Sequence, residues 1–330
     1  GFTELVEQLQ LLIADRVREI GEISGRPALP ALEIVAVPAE KRVGAPAADG
    51  GDCVHLDQPV QRYLPGFLRG EGQSITIRML LNQTSGISHA AGDQPILSPG
   101  PSGESAIRDW AMALTPDAPN RAAGAGYEYS NANFVVLGAV VEAVSGETYA
   151  RYLRAHVFEP LGMRHSYASL DEARRHGLAQ GHREWFGWFE PSDVPYPPSF
   201  VPAGFIISTV SDMTRYLSMQ ANGGELEGVR VISAASLELM HRGVASMDQD
   251  GKSHYAMGWV GDTFNGVPVA YHDGDTGRFT SIIAISREDR FGVVVMANAS
   301  GWLYTPHLTD AAGGAINTLV GNTPRSYGAA

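Results

Sequence analysis

Residues Gly124–Gly146 read GAGYEYSNANFVVLGAVVEAVSG. The run predicts a helix from about Asn133 to Val144, with Ser130 or Asn131 as its cap and Ser145-Gly146 as its stop. Tyr129-Ser130-Asn131 places a phenol and an amide directly in front of that helix. What those two groups act on decides how the rest of the chain is read.

Outward from this helix, Thr148–Val157 predicts a second one running into PLGM. Upstream, ITIRMLLNQTSGI predicts a helix starting at Thr76 and ending before Gly86. Downstream, Trp185–Phe200 (WFGWFEPSDVPYPPSF) is aromatic and proline-rich and reads as irregular, while STVSDMTRYLSMQANGG predicts a helix from Ser211 or Asp212 to Gly223. RFTSIIAIS and RFGVVVMANAS flank the polar turn Arg287–Arg290 and predict an antiparallel hairpin. At the other end, Thr3–Ile20 carries apolar residues at helical spacing, Leu32–Val37 (LEIVAV) reads as a strand, and Pro38–Asp52 as loop. Strands at both ends and helices between them predict an α/β chain of the α+β type: an antiparallel sheet flanked by helices, with an inserted helical lobe. The expected division is residues 1–55 with 205–330 as the sheet domain and 56–204 as the lobe with a variable loop.

Composition narrows the partners. The chain has 330 residues, 44% hydrophobic and 18% charged, enough for a sizeable core. A net charge of −12 disfavours nucleic-acid phosphates and anionic membrane surfaces. No apolar run approaches a membrane span. Cys53 stands alone, so no internal disulfide can form. His165, His176 and His182 follow no metal-ligand spacing, so neither a metal nor a cofactor is expected. Export and oligomeric state are left open.

Several segments, in order, resemble one family: LDQPVQRYLP, LLNQTSGI, YSNANFVVLGAVVEAVSG, FEPLGM, PAGFIISTVSDMTRYL and HDGDTGRFTSIIAI. Together they are similar to the serine β-lactamase and penicillin-binding-protein-like family, with its class C β-lactamase-related esterases, amidases and D-peptidases. The resemblance implies a β-lactamase/transpeptidase-like fold and a small-molecule ester, amide or lactam as substrate or ligand. It also implies a site made of three motifs. Tyr129-Ser130-Asn131 matches the Y-x-N motif, whose tyrosine shuttles a proton and whose asparagine orients substrate. His272-Asp273-Gly274 matches the K-T-G or H-x-G motif on an edge strand. There Gly274 would let substrate lie close and the Asp275 N–H would donate to an oxyanion. Asp275 would have to point its carboxylate away. Ser130, between the other two, is structural or a proton relay in the family rather than a nucleophile. A tyrosine with an ordinary pKa near 10 is a poor base, so a neighbouring cation is needed, with His272 or a lysine as the natural source.

The first motif, S-x-x-K, is absent. Lys41 and Lys252 are the only lysines, and three residues before them stand Pro38 and Gln249. The nearest imitation, Ser105-Ala106-Ile107-Arg108, ends in a guanidinium that does not deprotonate. In relatives a second strand, a loop and the nucleophile helix lie between the first strand and the LDQPV segment. Here only Pro38–His55 connects Val37 to Leu56, which is too short for all three. Each large apolar side chain of a buried helix is worth roughly 1.5–3 kcal/mol. Losing one helix thus exceeds a usual net stability of about 5–15 kcal/mol unless the space is refilled. Three explanations compete: a segment outside this sequence, a natural pseudoenzyme with a repacked lobe, and an engineered deletion. Other nucleophiles fare worse. Ser85 and Ser88 beside His89 read as a tight turn, Cys53 as a small buried residue, and no G-x-S-x-G elbow exists. Trp185, Phe186, Trp188 and Phe189 read equally as an apolar acyl pocket or as loop packing. The expectation is a serine-hydrolase or acyl-transferase scaffold that is inactive or impaired as it stands. The alternative is a pseudoenzyme that binds or regulates through the retained cleft.

Overall fold

A computed structural model describes residues 32–38, 54–68, 74–97, 100–248, 250–264, 266–301 and 305–321. The helix expected over Thr3–Ile20, most of the Pro38–Asp52 loop, Lys41 and Cys53 lie outside these residues.

The expected hairpin is the heart of the sheet. Seven antiparallel strands run in the order β1-β11-β10-β9-β8-β7-β6. They are β1 (Leu32–Pro38), β6 (Ala245–Ser246), β7 (His254–Tyr255), β8 (Val260–Phe264), β9 (Val267–Asp275), β10 (Thr280–Ser286) and β11 (Phe291–Ala297). The LEIVAV strand pairs with β11 from Leu32↔Ala297 to Pro38↔Phe291, so chain ends far apart in sequence share one ladder. β10 and β11 are apolar nearly throughout because both faces are covered. Ile282, Ala284, Val293 and Val295 pack with Leu308, Ala312 and Ile316 of the C-terminal helix Thr305–Leu319. The alternate residues Ile285 and Val294 pack with Val210 and Leu217 of the helix Val210–Ala221. Strand period two thus feeds two cores at once.

The helices between Ile77 and Gly204 mostly border a third core, while Leu161 packs with Phe158, Met163 and Met219 in another. In chain order they are α1 (Ile77–Leu81), α2 (His89–Leu97), α3 (Ala106–Met112), α4 (Asn131–Ser145), α5 (Tyr149–Leu153), α6 (Glu159–Leu161), α7 (Leu170–Arg175) and α8 (Val201–Gly204). They are followed by α9 (Val210–Ala221), α10 (Ala234–His241) and α11 (Thr305–Leu319). Helix α4 lies at the centre of the third core through Ala132, Val135, Val136, Ala139 and Val140. Its Gly138 faces α8 so closely that a Cβ there would overlap the Pro202 ring. Thr76 caps α1, its hydroxyl accepting from Met79 N–H. Ahead of α1, Asp57 holds Arg78 by two hydrogen bonds of 2.6 and 2.9 Å, which fixes the LDQPV segment. The TSG turn after α1 needs its glycine: Gly86 has φ 81°, and a Cβ would meet the Arg121 carbonyl.

Four expectations are corrected. Helix α4 begins at Asn131, two residues early, with Ser130 at the cap position but no side-chain cap bond. The helix expected over Thr148–Val157 is α5 followed by a π-helical stretch, Arg154–Phe158. Helix α9 is capped by Thr209, because Asp212 turns away to accept from His165 N–H and Ser166 Oγ, both at 2.7 Å. The aromatic segment is not irregular. Its start forms a hairpin of β2 (His182–Trp185) and β3 (Trp188–Pro191), with β2 paired in parallel to β12 (Ala299–Ser300). The structural reason is that β12, more than a hundred residues on, supplies the ladder that local sequence does not reveal. The remaining small sheet is the hairpin β4 (Glu225–Leu226) and β5 (Val229–Arg230).

Candidate active site

The backbone before α4 is held by Gln83, a fully buried residue in left-handed conformation (φ 58°). Its Oε1 accepts from the Ser130 backbone N–H at 2.9 Å and from Asn133 Nδ2. Ser85 Oγ donates to Asn133 Oδ1 at 2.6 Å and accepts from Ile87 N–H at 3.1 Å. Ser130 Oγ donates to the Ser88 carbonyl at 2.9 Å. Ser88 Oγ accepts from Ala91 N–H at 3.2 Å. These three hydroxyls are therefore engaged in turn and helix-start bonds, and none has a basic side chain as its partner in these bonds. Gly92 of α2 completes the bracket: a Cβ there would stand 2.7 Å from Asn131 N and 2.8 Å from Ser130 Oγ. His89, read as part of the same turn, reaches the Tyr129 carbonyl with Nδ1 (3.1 Å) and Asp93 with Nε2 (3.0 Å).

This bracket presents Tyr129 and Asn131 to the sheet. Tyr129 OH donates to Asn131 Oδ1 at 3.2 Å. The rings of Tyr129 and His272 lie 6.4 Å apart, so the second and third sequence motifs face one another across a narrow gap. Tyr255 is the third corner of a near-equilateral triangle with them. Its ring is 6.3 Å from Tyr129 and 6.2 Å from His272, and its hydroxyl lies 3.4 Å from His272 Nε2. His272 Nδ1 is 2.7 Å from the Asp273 carbonyl, which can only accept. The proton of the neutral imidazole thus belongs on Nδ1, and Nε2 accepts from Tyr255. No motif spacing marks Tyr255. It reaches the site because β7 pairs with β8, with Tyr255 opposite Val260.

The electrostatics run against a basic phenol. Burial first, then Tyr127, Asp273 and Asp93, together push Tyr129 up to about 12. Tyr255 is raised by the same burial, and Tyr127 too. No cation is among the causes acting on Tyr129. Lys252, the one described lysine, sits at the surface beside Asp250 at 3.4 Å. The imitation motif is elsewhere: Ser105 is exposed and its hydroxyl donates to Asp109 at 2.6 Å at the start of α3.

The third motif needs one correction. Strand β9 is internal to the sheet rather than an edge strand. However, β8 pairs only with Val267–Tyr271, while β10 continues to Asp275. His272, Asp273, Gly274 and Asp275 therefore overhang β8 and form a local edge. Nothing lies within 4 Å of the place a Gly274 Cβ would occupy, so the surface there is open. The Asp275 carboxylate accepts from Gly277 N–H at 2.6 Å and from Ser300 Oγ at 2.8 Å, which holds it toward the following turn and β12. Of the four aromatic residues read as pocket lining or loop packing, Trp185, Phe186 and Trp188 face solvent at 51%, 88% and 54% exposure, while Phe189 is half-buried. His165, His176 and His182 are separate, with His176 stacked on Tyr167 and His182 Nδ1 hydrogen-bonded to the Asn298 carbonyl at 3.0 Å. Among the described residues no three His, Cys, Asp or Glu side chains are grouped to hold a metal ion. Nor is any described helix long and apolar enough to cross a membrane.

Residues 47–313 match the family model described as Beta-lactamase. The chain belongs to the beta-lactamase family. Penicillin-binding protein 4 of Amycolatopsis lactamdurans is 31% identical over 278 residues, covering 79% of this chain and 69% of that protein. Protein flp of Staphylococcus aureus (strain MW2) is 25% identical over 286 residues, covering 82% of this chain but only 52% of its own length. The chain thus spans about half of the latter relative. A solved class C beta-lactamase superposes with a TM-score of 0.71 at 19% identity, covering 96% of this chain and 98% of that one, a likeness of fold. The beta-lactamase family provides a hydrolase scaffold of mixed helices and antiparallel sheet, and this chain has that scaffold.

Proposed function

We propose that this scaffold binds a small ester, amide or β-lactam carbonyl compound between Tyr129 and Asn131 on one side and His272–Asp275 on the other, and turns it over feebly or not at all. The observation that carries the reading is the pairing of these two motifs across one gap in a chain without S-x-x-K. Asn131 would orient the substrate amide, Gly274 would admit its backbone, and the Asp275 N–H would stabilise a developing oxyanion. Tyr129 would hold the proton-shuttle position but keep its proton, because burial and neighbouring carboxylates disfavour the phenolate. A retained cleft without its nucleophile keeps binding and oxyanion stabilisation and loses the acyl-enzyme step. The second reading, a binding or regulatory module, is favoured by the same raised Tyr129.

The test is intact-mass spectrometry of the purified chain before and after exposure to a penicillin and a fluorophosphonate, with penicillin binding followed by ligand-detected NMR. The expected result is an unmodified mass of 35.3 kDa together with reversible penicillin binding that Asn131→Ala weakens. A covalent adduct on a serine would overturn the impaired-enzyme reading, and absence of any binding would overturn the retained cleft. A starting mass several kilodaltons higher would point to a segment beyond this sequence.

A further inference from the structure

Phe186 and Gly187 join β2 to β3 with φ angles of 49° and 81°. A two-residue turn with both φ positive suits Asn, Asp and Gly, and a bulky side chain at its first position is strained. Phe186 occupies that position while 88% exposed. Trp185 and Trp188, paired across the strands beside it, are 51% and 54% exposed. Two costs therefore meet at one point: a left-handed aromatic residue, and a contiguous apolar tier facing water. The Trp185 ring meets that of Phe186 edge-on at 5.1 Å, so the aromatics form a single tip.

The stem below is firmly held. β2 pairs with β12, Arg278 Nε donates to Ser192 Oγ at 2.6 Å, and Gly181 lies against Phe279. Ser300 of β12 in turn donates to Asp275, so the tip and the end of β9 share one support. Just below the tip the hairpin carries one basic residue, Arg183, against two acidic ones, Glu184 and Glu190. The Arg183 guanidinium sits 5.1 Å over the Trp185 ring and 3.8 Å from Glu190. No basic cluster accompanies them in the hairpin, and the chain as a whole carries −12.

We propose that this hairpin tip inserts into a zwitterionic phospholipid surface. A convex point two residues wide offers no groove for a peptide or helix, whereas the soft interface of a bilayer closes around it. Tryptophan is favoured at that depth, its ring in the apolar boundary and its N–H in the headgroup layer. Arg183 and Glu190 match the opposite charges of a phosphocholine headgroup. The acidic chain excludes attraction to an anionic surface as the driving force. The proposal does not depend on what the cleft binds.

The experiment is co-sedimentation of the full chain with phosphatidylcholine vesicles, read together with the tryptophan emission maximum. Binding with a blue shift, insensitive to added salt, is expected. Phe186→Asn should weaken it by about tenfold, in line with losing one large apolar contact. Adding Trp185→Ser and Trp188→Ser should abolish it. Since asparagine tolerates positive φ, the Phe186→Asn chain should melt at or above the parent temperature, which separates loss of binding from loss of fold. The idea is overturned by no binding to phosphatidylcholine, by binding that needs anionic lipid and fades with salt, or by undiminished binding of the triple variant. It is equally overturned by a lipid-free dimer that Phe186→Asn dissociates, or by unfolding of that variant.

Discussion

A phenol raised to about 12 and a histidine that accepts from one tyrosine define the chemistry of the gap between Tyr129 and His272. The Tyr129 phenol keeps its proton at neutral pH and is no base on its own account. A phenol needs a neighbouring cation to serve as a base, and no cation is among the causes that shift Tyr129. A different histidine is the titrating group that matters for stability. His241 Nε2 bonds Gln220 Oε1 at 2.9 Å, its Nδ1 is buried without a partner among the described residues, and its ring packs 5.0 Å from Trp259. Burial first, then Arg287, lowers it to about 4, with Glu238 opposing. The unfolded chain takes up that proton near pH 6.5 and the folded chain only near 4, so in this window the unfolded state binds more protons. Stability is full above about 6.5 and falls as pH drops toward 4. By pH 5 the loss amounts to about 2 kcal/mol. Urea unfolding at pH 7 and pH 5 should show it, and His241→Phe should flatten that part while lowering stability at both pH values. An equal pH 7-to-5 loss in the variant would refute the assignment.

Among the elements, α4 and the β10–β11 hairpin were legible in sequence because each carries its own signal. Helix α4 has a capped apolar run stopped by Gly146, at φ 71°, and the hairpin has two β-rich runs around a polar turn. The β2–β3 hairpin was not legible, because its aromatics point outward and its ladder partner is β12. The start of α9 was misplaced by a competing local option: Asp212 is a good cap by type, yet its carboxylate is engaged by His165 and Ser166. At this scale Gly138 is the sharpest test. A helix interior normally gains roughly 1 kcal/mol from Gly→Ala. Here the added methyl meets the rigid Pro202 ring and stands 3.3 Å from Ile107. Gly138→Ala should therefore lower stability by about 1–3 kcal/mol in denaturant unfolding, the usual cost of overpacking. A stabilised variant would show that α8 gives way freely.

Across the whole molecule the sheet and the helical core around α4 differ in how their backbones are tied. The sheet is a continuous ladder covered by α9 and α11, whereas the core around α4 is bounded by helices as short as four residues in α8 and five in α1. Asn82 Oδ1, Tyr196 OH and Ser199 Oγ are buried on that side without a partner among the described residues. If residues 1–55 with 205–330 and residues 56–204 are separate units, as proposed from sequence, hydrogen exchange should divide them. Amides of α1, α3 and α4 are expected to exchange at least about tenfold faster than those of β10 and β11. Equal protection would mean one cooperative unit instead. By itself the sequence determined the family, the antiparallel sheet drawn from distant parts of the chain, and the absence of S-x-x-K, since these reside in residue types, order and spacing. Only the tertiary structure decided that β9 is a central strand with an overhanging end, that Tyr255 clusters with the two motifs, and that three aromatics face outward. Those facts depend on where neighbouring strands stop and which groups share a buried space, and contacts between residues far apart in the chain leave no local pattern to read.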